Sequence, residues 1–70
     1  MTSETFGQRL RRIRVALGLT QYELGIRAGI RDSTISYWEA DKGSPRPANL
    51  GRLARALGVT TDALVGGGDD

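Results

Sequence analysis

The chain has 70 residues and a net charge of +2, with ten lysines and arginines, eight acids and neither cysteine nor histidine. That length allows one small domain, at a size where a single core is only marginally stable. Without cysteine or histidine, disulfides, zinc sites of the usual ligands, a His general base and a Ser–His nucleophile pair are excluded, so no catalytic or metal-ligating residue is assigned.

Residues 1–4 show no element and are expected to be disordered. Thr5 and Gln8 then form a capping box that opens a first helix, each side chain able to satisfy the other's free N–H. Phe6, Leu10, Ile13 and Leu17 follow at spacings of 4, 3 and 4, an apolar stripe for the core, and Gly18 closes the helix. Arg9, Arg11 and Arg12 lie off that stripe. Arg14 falls on its shoulder, beside Leu10 and Leu17, where an unpaired charge is costly and a carboxylate partner is wanted. Glu39 is the natural candidate.

A second helix is predicted over about Gln21–Ala28. Thr20 and Glu23 make its capping box, and Gly29 suits the left-handed residue that ends a helix. Gly25 within it costs roughly 1 kcal/mol against alanine. A closer approach of the third helix at the crossing is one compensation. Gln21 lies where helix N-terminal N–H groups can receive a phosphate.

In the third helix Ile35 and Trp38 are three apart and point inward. Ser33 and Tyr37 then point away, on one exposed line, with Thr34 and Ser36 on the flanks. Trp38 is read as core rather than as a base-stacking group. Two helices this short, joined through one glycine, must cross steeply, as in a helix-turn-helix, whose second helix is presented to DNA.

The segment Ala40–Pro47, ADKGSPRP, is a loop with Lys42 and Arg46 as its cations. Pro47 suits the first turn of a fourth helix, whose face is Leu50, Leu53, Ala54 and Leu57 before Gly58. Thr60 caps a short fifth helix carrying Leu64 and Val65, and residues 66–70 are expected to be a flexible tail. No segment alternates with the period of a strand. No apolar run approaches membrane-spanning length, and Met1–Thr5 lacks the charged-then-apolar form of a signal peptide, so the expected location is cytoplasmic.

Charge is unevenly spread. Without Glu4 and the final Asp69 and Asp70, ten cations face five acids, Glu23, Asp32, Glu39, Asp41 and Asp62, leaving about +5. Nine of the ten cations are arginine, the residue suited to phosphate forks and guanine edges. A polyanionic partner and an ordinary solvated basic surface both fit this balance.

Leu19-Thr20-Gln21, Glu23-Leu24, Ala28-Gly29-Ile30, Ile35-Ser36 and Glu39 together resemble the helix-turn-helix of the phage repressor/Cro-like (XRE-type) family of transcription regulators. The likeness runs from about Phe6 to Leu64. It implies an all-α, five-helix lambda-repressor-like DNA-binding domain over residues 5–65, with helices two and three forming the helix-turn-helix. It also implies an ion pair between Arg14 and Glu39 that ties helix one to the reading helix. The family's base-reading positions fall on Asp32, Ser33 and Tyr37, with Arg31 just before them and Ser36 beside them. Gln21, Lys42, Arg46 and Arg14 are the implied phosphate contacts, and Gln21 is further implied to support the first residue of the reading helix.

Three positions depart from the family's habit. Gly25 replaces the usual alanine, Arg31 a small hydroxyl cap, and Asp32 a neutral residue. Asp32 suits a helix N-terminus and can accept from a cytosine amino group; were it only the cap, Arg31 would be the reader.

The expected function is sequence-specific binding of double-stranded DNA to regulate transcription, by repression, with no membrane or small-molecule ligand. So small a domain is expected to act as a homodimer on half-sites ~34 Å apart, with Leu64 and Val65 as the dimer patch. Four phosphate contacts per subunit imply a log K against log[salt] slope near about −7 for the dimer. The alternative is a helix-turn-helix kept as a protein-interaction module, such as an antitoxin or adaptor. An exposed apolar patch on helix three would mark that alternative.

Overall fold

Five helices follow one another in the computed structural model, which describes residues 3–66: α1 (Phe6–Ala16), α2 (Gln21–Ala28), α3 (Asp32–Glu39), α4 (Pro47–Leu57) and α5 (Thr61–Val65). No strand occurs among the described residues. The expected capping boxes are both formed. The Gln8 N–H donates to Thr5 Oγ1 at 3.1 Å and the Thr5 N–H to Gln8 Oε1 at 2.9 Å. At α2 the Glu23 N–H donates to Thr20 Oγ1 at 3.0 Å, and the Thr20 N–H returns to Glu23 Oε1 at 2.8 Å. Thr60 caps α5 by its side chain alone, accepting from the Ala63 N–H at 3.0 Å.

One core joins all five helices. It consists of Leu10, Leu19, Leu24, Ala28, Ile35, Trp38, Leu53, Ala54, Leu57 and Leu64, with Phe6, Ile13, Ile30 and Leu50 among the half-buried residues against it. Two expectations are corrected here. Leu17 is 52% exposed, and Leu19 takes the buried place instead. Helical periodicity no longer applies at Leu17, because α1 ends at Ala16 and the chain turns through Gly18 at φ +73°. Leu64 is fully buried rather than part of a dimer patch, because α5 packs its one large inward side chain against α1 and α4. Val65 remains 44% exposed.

The expected disorder at residues 1–2 and the expected tail at residues 67–70 lie outside the described residues. Glu4, at the end of the segment 1–4, has a carboxylate that accepts from Arg12 Nε at 2.6 Å and from Arg12 Nη2 at 3.0 Å. Gly66, the first residue of the expected tail, ends α5 in the left-handed conformation.

α1 is fastened to the far end of α3. Asp41, just past α3, holds a left-handed φ of +58° and turns its carboxylate onto the first turn of α1. It accepts from Thr5 Oγ1 at 2.6 Å and from the Gly7 N–H at 2.9 Å. The two backbones close up at Gly7, where a Cβ would stand 2.6 Å from the carbonyl oxygens of Trp38 and Glu39. The Thr5 hydroxyl first, and then the Gly7 N–H, hold the Asp41 carboxyl below the usual carboxylate range.

Candidate nucleic-acid interface

The turn between α2 and α3 sets their crossing. Gly29 takes φ +71°, ψ +36°, a conformation that penalises any residue with a Cβ, and its N–H donates to the Gly25 carbonyl. Ile30 N–H donates to that same carbonyl at 2.9 Å. Gly25 is a glycine because the chain returns across it: a Cβ there would overlap the Ile30 carbonyl oxygen and stand 3.4 Å from the Asp32 nitrogen. The close approach therefore comes from the turn and the first residue of α3, not from the body of that helix.

The other end of α3 is held by a polar cluster. Arg14 Nε donates to Glu39 Oε2 at 2.7 Å and Arg14 Nη2 to Glu39 Oε1 at 3.0 Å, the expected ion pair in its two-pronged form. Arg14 Nη1 donates to the Leu19 carbonyl at 2.7 Å. The pair is nearly sealed, with side-chain exposures of 11% and 5%. No buried side-chain nitrogen or oxygen lacks a partner among the described residues. The hydrogen bond to Glu39 raises the Arg14 pKa above its already high ordinary value, so the guanidinium stays charged.

These contacts correct the phosphate assignment of Arg14 and the bracing role of Gln21. Each guanidinium nitrogen of Arg14 is bonded inside the protein and little of the side chain is exposed, which turns it away from a phosphate. Gln21 donates from Nε2 to Glu39 Oε1 at 3.0 Å, so its side chain braces the last residue of α3 rather than the first. At Gln21 the backbone N–H, the second carboxamide hydrogen and the carboxamide oxygen are left to meet a ligand.

Along α3, Ile35 and Trp38 are buried and Thr34 is half-buried, while Ser33, Ser36 and Tyr37 are exposed, Tyr37 by 50%. Arg31 occupies the N-cap position with an exposed side chain that makes no capping bond, and Asp32 is the first helical residue rather than the cap. Lys42 and Arg46 are exposed in the loop that follows. α3 carries no exposed aliphatic side chain, so the patch that would mark the protein-interaction alternative is not on this helix. The arrangement offers hydroxyls, a phenol, a guanidinium and a carboxylate on one rod, with cations beside it.

The sequence profile of the helix-turn-helix family matches residues 10–64. The chain belongs to that family, among the phage repressors and bacterial HTH-type transcriptional regulators. It is 43% identical over 61 residues to the uncharacterized HTH-type transcriptional regulator RghRB of Bacillus subtilis, covering 86% of this chain and 44% of that protein. To the repressor protein C2 of Salmonella phage P22 it is 34% identical over 67 residues, 96% of this chain and 31% of the repressor. The chain thus spans less than half the length of these curated relatives. A crystal structure of the P22 c2 repressor with a synthetic operator superposes with a TM-score of 0.87, covering 93% of this chain and 98% of that one. The restriction-modification controller protein C.AhdI of Aeromonas hydrophila superposes at 0.83 with 35% identity, covering 86% and 91%.

Sequence reasoning missed three residues of this helix-turn-helix unit. Asp41 and Gly7 join the start of α1 to the end of α3, and Gly43 lies against the Tyr37 ring. A lone aspartate or glycine in a sequence carries no sign of what lies across from it. A groove at the ends of α2 and α4, lined by Ile26, Arg27, Arg52, Arg55 and Ala56, is also basic. Arg27 and Arg55 lie in the last turns of their helices, where cations offset the carbonyl dipole.

Proposed function

We propose that this helix-turn-helix domain binds operator sites in double-stranded DNA and regulates transcription, by repression, with α3 in the major groove. One observation carries the reading: α3 is pinned at its end by Arg14, Gln21 and Glu39 while Ser33, Ser36 and Tyr37 stand unburied on its outer side. A helix held from behind and polar in front is what the major groove admits. Arg31, Asp32, Ser33, Ser36 and Tyr37 would read base edges, Arg31 by the two-pronged contact with guanine. Lys42, Arg46 and the backbone N–H of Gln21 would fix the register on phosphates. The role is one of binding, exercised in the cytoplasm.

A domain of this size gathers few contacts, so the DNA-bound form is a symmetric dimer on half-sites about one helical turn, ~34 Å, apart. With Arg14 withdrawn, the two cations Lys42 and Arg46 on each subunit give the dimer a log K against log[salt] slope of about −4, since the neutral Gln21 N–H releases no counterion. Selection of bound duplexes from a random pool, followed by titration of the winner across salt, tests the whole reading. The expected result is a pair of related half-sites and the stated slope. A flat salt response, or a pool that yields no preferred sequence, would overturn it. Tyr37→Ala should change the preferred bases, whereas Lys42→Ala should weaken all sequences alike.

A further inference from the structure

Gly43 lies outside α3, yet the space its side chain would fill is already occupied by the ring of Tyr37. A Cβ at Gly43 would stand 2.5 Å from Tyr37 Cε2 and 3.3 Å from both Cδ2 and Cζ. The backbone does not ask for glycine at this position. The described glycines with positive φ are Gly18, Gly29, Gly58 and Gly66, so residue 43 has a conformation that any amino acid adopts. The ring is the obstacle to a larger residue.

The contact is built into the fold. Asp41 turns the chain back on α3, locked by Thr5 and Gly7, and the Lys42 N–H donates to the Tyr37 carbonyl at 3.1 Å. Gly43 is thereby carried beneath the side chain of a residue that is itself half exposed. The atoms in the way belong to the far end of a side chain with open space around it, so a methyl group at residue 43 moves the ring and leaves the helices where they are.

We infer that Gly43 is a positioning residue: it sets the direction of the Tyr37 phenol and so selects which base edge that group meets. The inference rests on the proposed reading of Tyr37 as a base contact. A ring settled before DNA arrives loses less freedom on binding, and a rotamer chosen by a loop residue gives specificity a control point outside the reading helix. Lys42 and Arg46, to either side of Gly43, grip phosphates under the same reading. The loop then serves both registration and readout.

Two measurements test this. In the free protein, proton NMR should show a Gly43 Hα resonance displaced by the Tyr37 ring current, returning to its ordinary position in Tyr37→Ser. On DNA, random-pool selection is repeated with Gly43→Ala, Tyr37→Ser and the double variant. Gly43→Ala should lower discrimination at one base pair per half-site by about tenfold, with binding to random duplex unchanged. In the Tyr37→Ser background the same change should do nothing. An undisplaced Gly43 resonance overturns the contact. A Gly43→Ala effect that persists without Tyr37, or that weakens every sequence equally, overturns the positioning role. If the wild-type chain selects no sequence at all, the DNA reading fails, and the NMR result decides the contact separately.

Discussion

α2 and α3 are adjoining helices of eight residues each, and they are stabilised by different means. α2 carries its own ends: a capping box at Thr20 and Glu23, a left-handed Gly29, an acid in its first turn and Arg27 in its last. α3 has none of these beyond Asp32. Its N-cap residue makes no side-chain bond, and no basic residue lies in its last turn. What α3 lacks locally is supplied from elsewhere, by Arg14 and Gln21 on Glu39 and by Ile35 and Trp38 in the core. A helix held by its neighbours is free to expose its own hydrophilic residues. Self-sufficiency in the supporting helix and dependence in the presented one follow from that division.

The sharpest way to break the comparison is to remove the brace of α3. Arg14→Met leaves the Glu39 carboxylate almost buried without its partner, and a stability loss of about 3 kcal/mol is expected in urea unfolding. A loss under about 1 kcal/mol would mean that α3 does not depend on α1 in this way. Next in size is Gly25→Ala. Helix propensity alone predicts a gain of about 1 kcal/mol, but overlap with the Ile30 carbonyl should turn this into a loss of about 2 kcal/mol. Gly51→Ala is the matched control. Gly51 also lies inside a helix, a Cβ there meets nothing within 4 Å, and the change should stabilise by up to about 1 kcal/mol.

The caps give smaller effects of opposite sign. Thr20→Ala should cost about 1 kcal/mol, because α2 loses a side-chain cap that it has. Arg31→Ser should gain about 0.5 kcal/mol, because α3 acquires one that it lacks, while affinity for the selected DNA falls. A stabilised variant that binds DNA as well as before would remove Arg31 from the reading residues.

The smallest effect is on the acid side. The folded Asp41 carboxyl binds its proton less readily than the unfolded one, so its contribution is whole above the unfolded pKa of about 4 and is lost as pH falls through the lower folded value. Asp41→Asn should therefore flatten the fall of the urea midpoint below about pH 4. Asparagine tolerates the left-handed backbone at that position. Some slope should survive, because Glu4, hydrogen-bonded to Arg12, is shifted in the same direction.

Much of the unit was legible in sequence because it is written in short-range spacings. Thr20 with Glu23, Gly29 after Ala28, and Ile35 with Trp38 marked α2, the turn and the inward face of α3. Arg14 was legible as a charge in need of a partner, since its place on the stripe follows from helical geometry. Its third donor was not: the bond to the Leu19 carbonyl depends on how the chain bends after Gly18. The burial of Leu64 is hidden from the sequence for a related reason. Counting residues cannot show whether the last helix finds room beneath α1 and α4.

The sequence by itself determined the order of the five helices, which residues of α3 face outward, and the family to which the chain belongs. Those features arise among residues three or four apart, where backbone and side chain meet whatever the rest of the chain does. Only the tertiary structure decided that Gln21 serves Glu39, that Arg14 also binds the Leu19 carbonyl, that Gly25 and Gly7 yield to another stretch of backbone, and that Gly43 lies under Tyr37. Each of these depends on atoms from a different segment coming within van der Waals or hydrogen-bonding distance, and that proximity exists only once the core has closed.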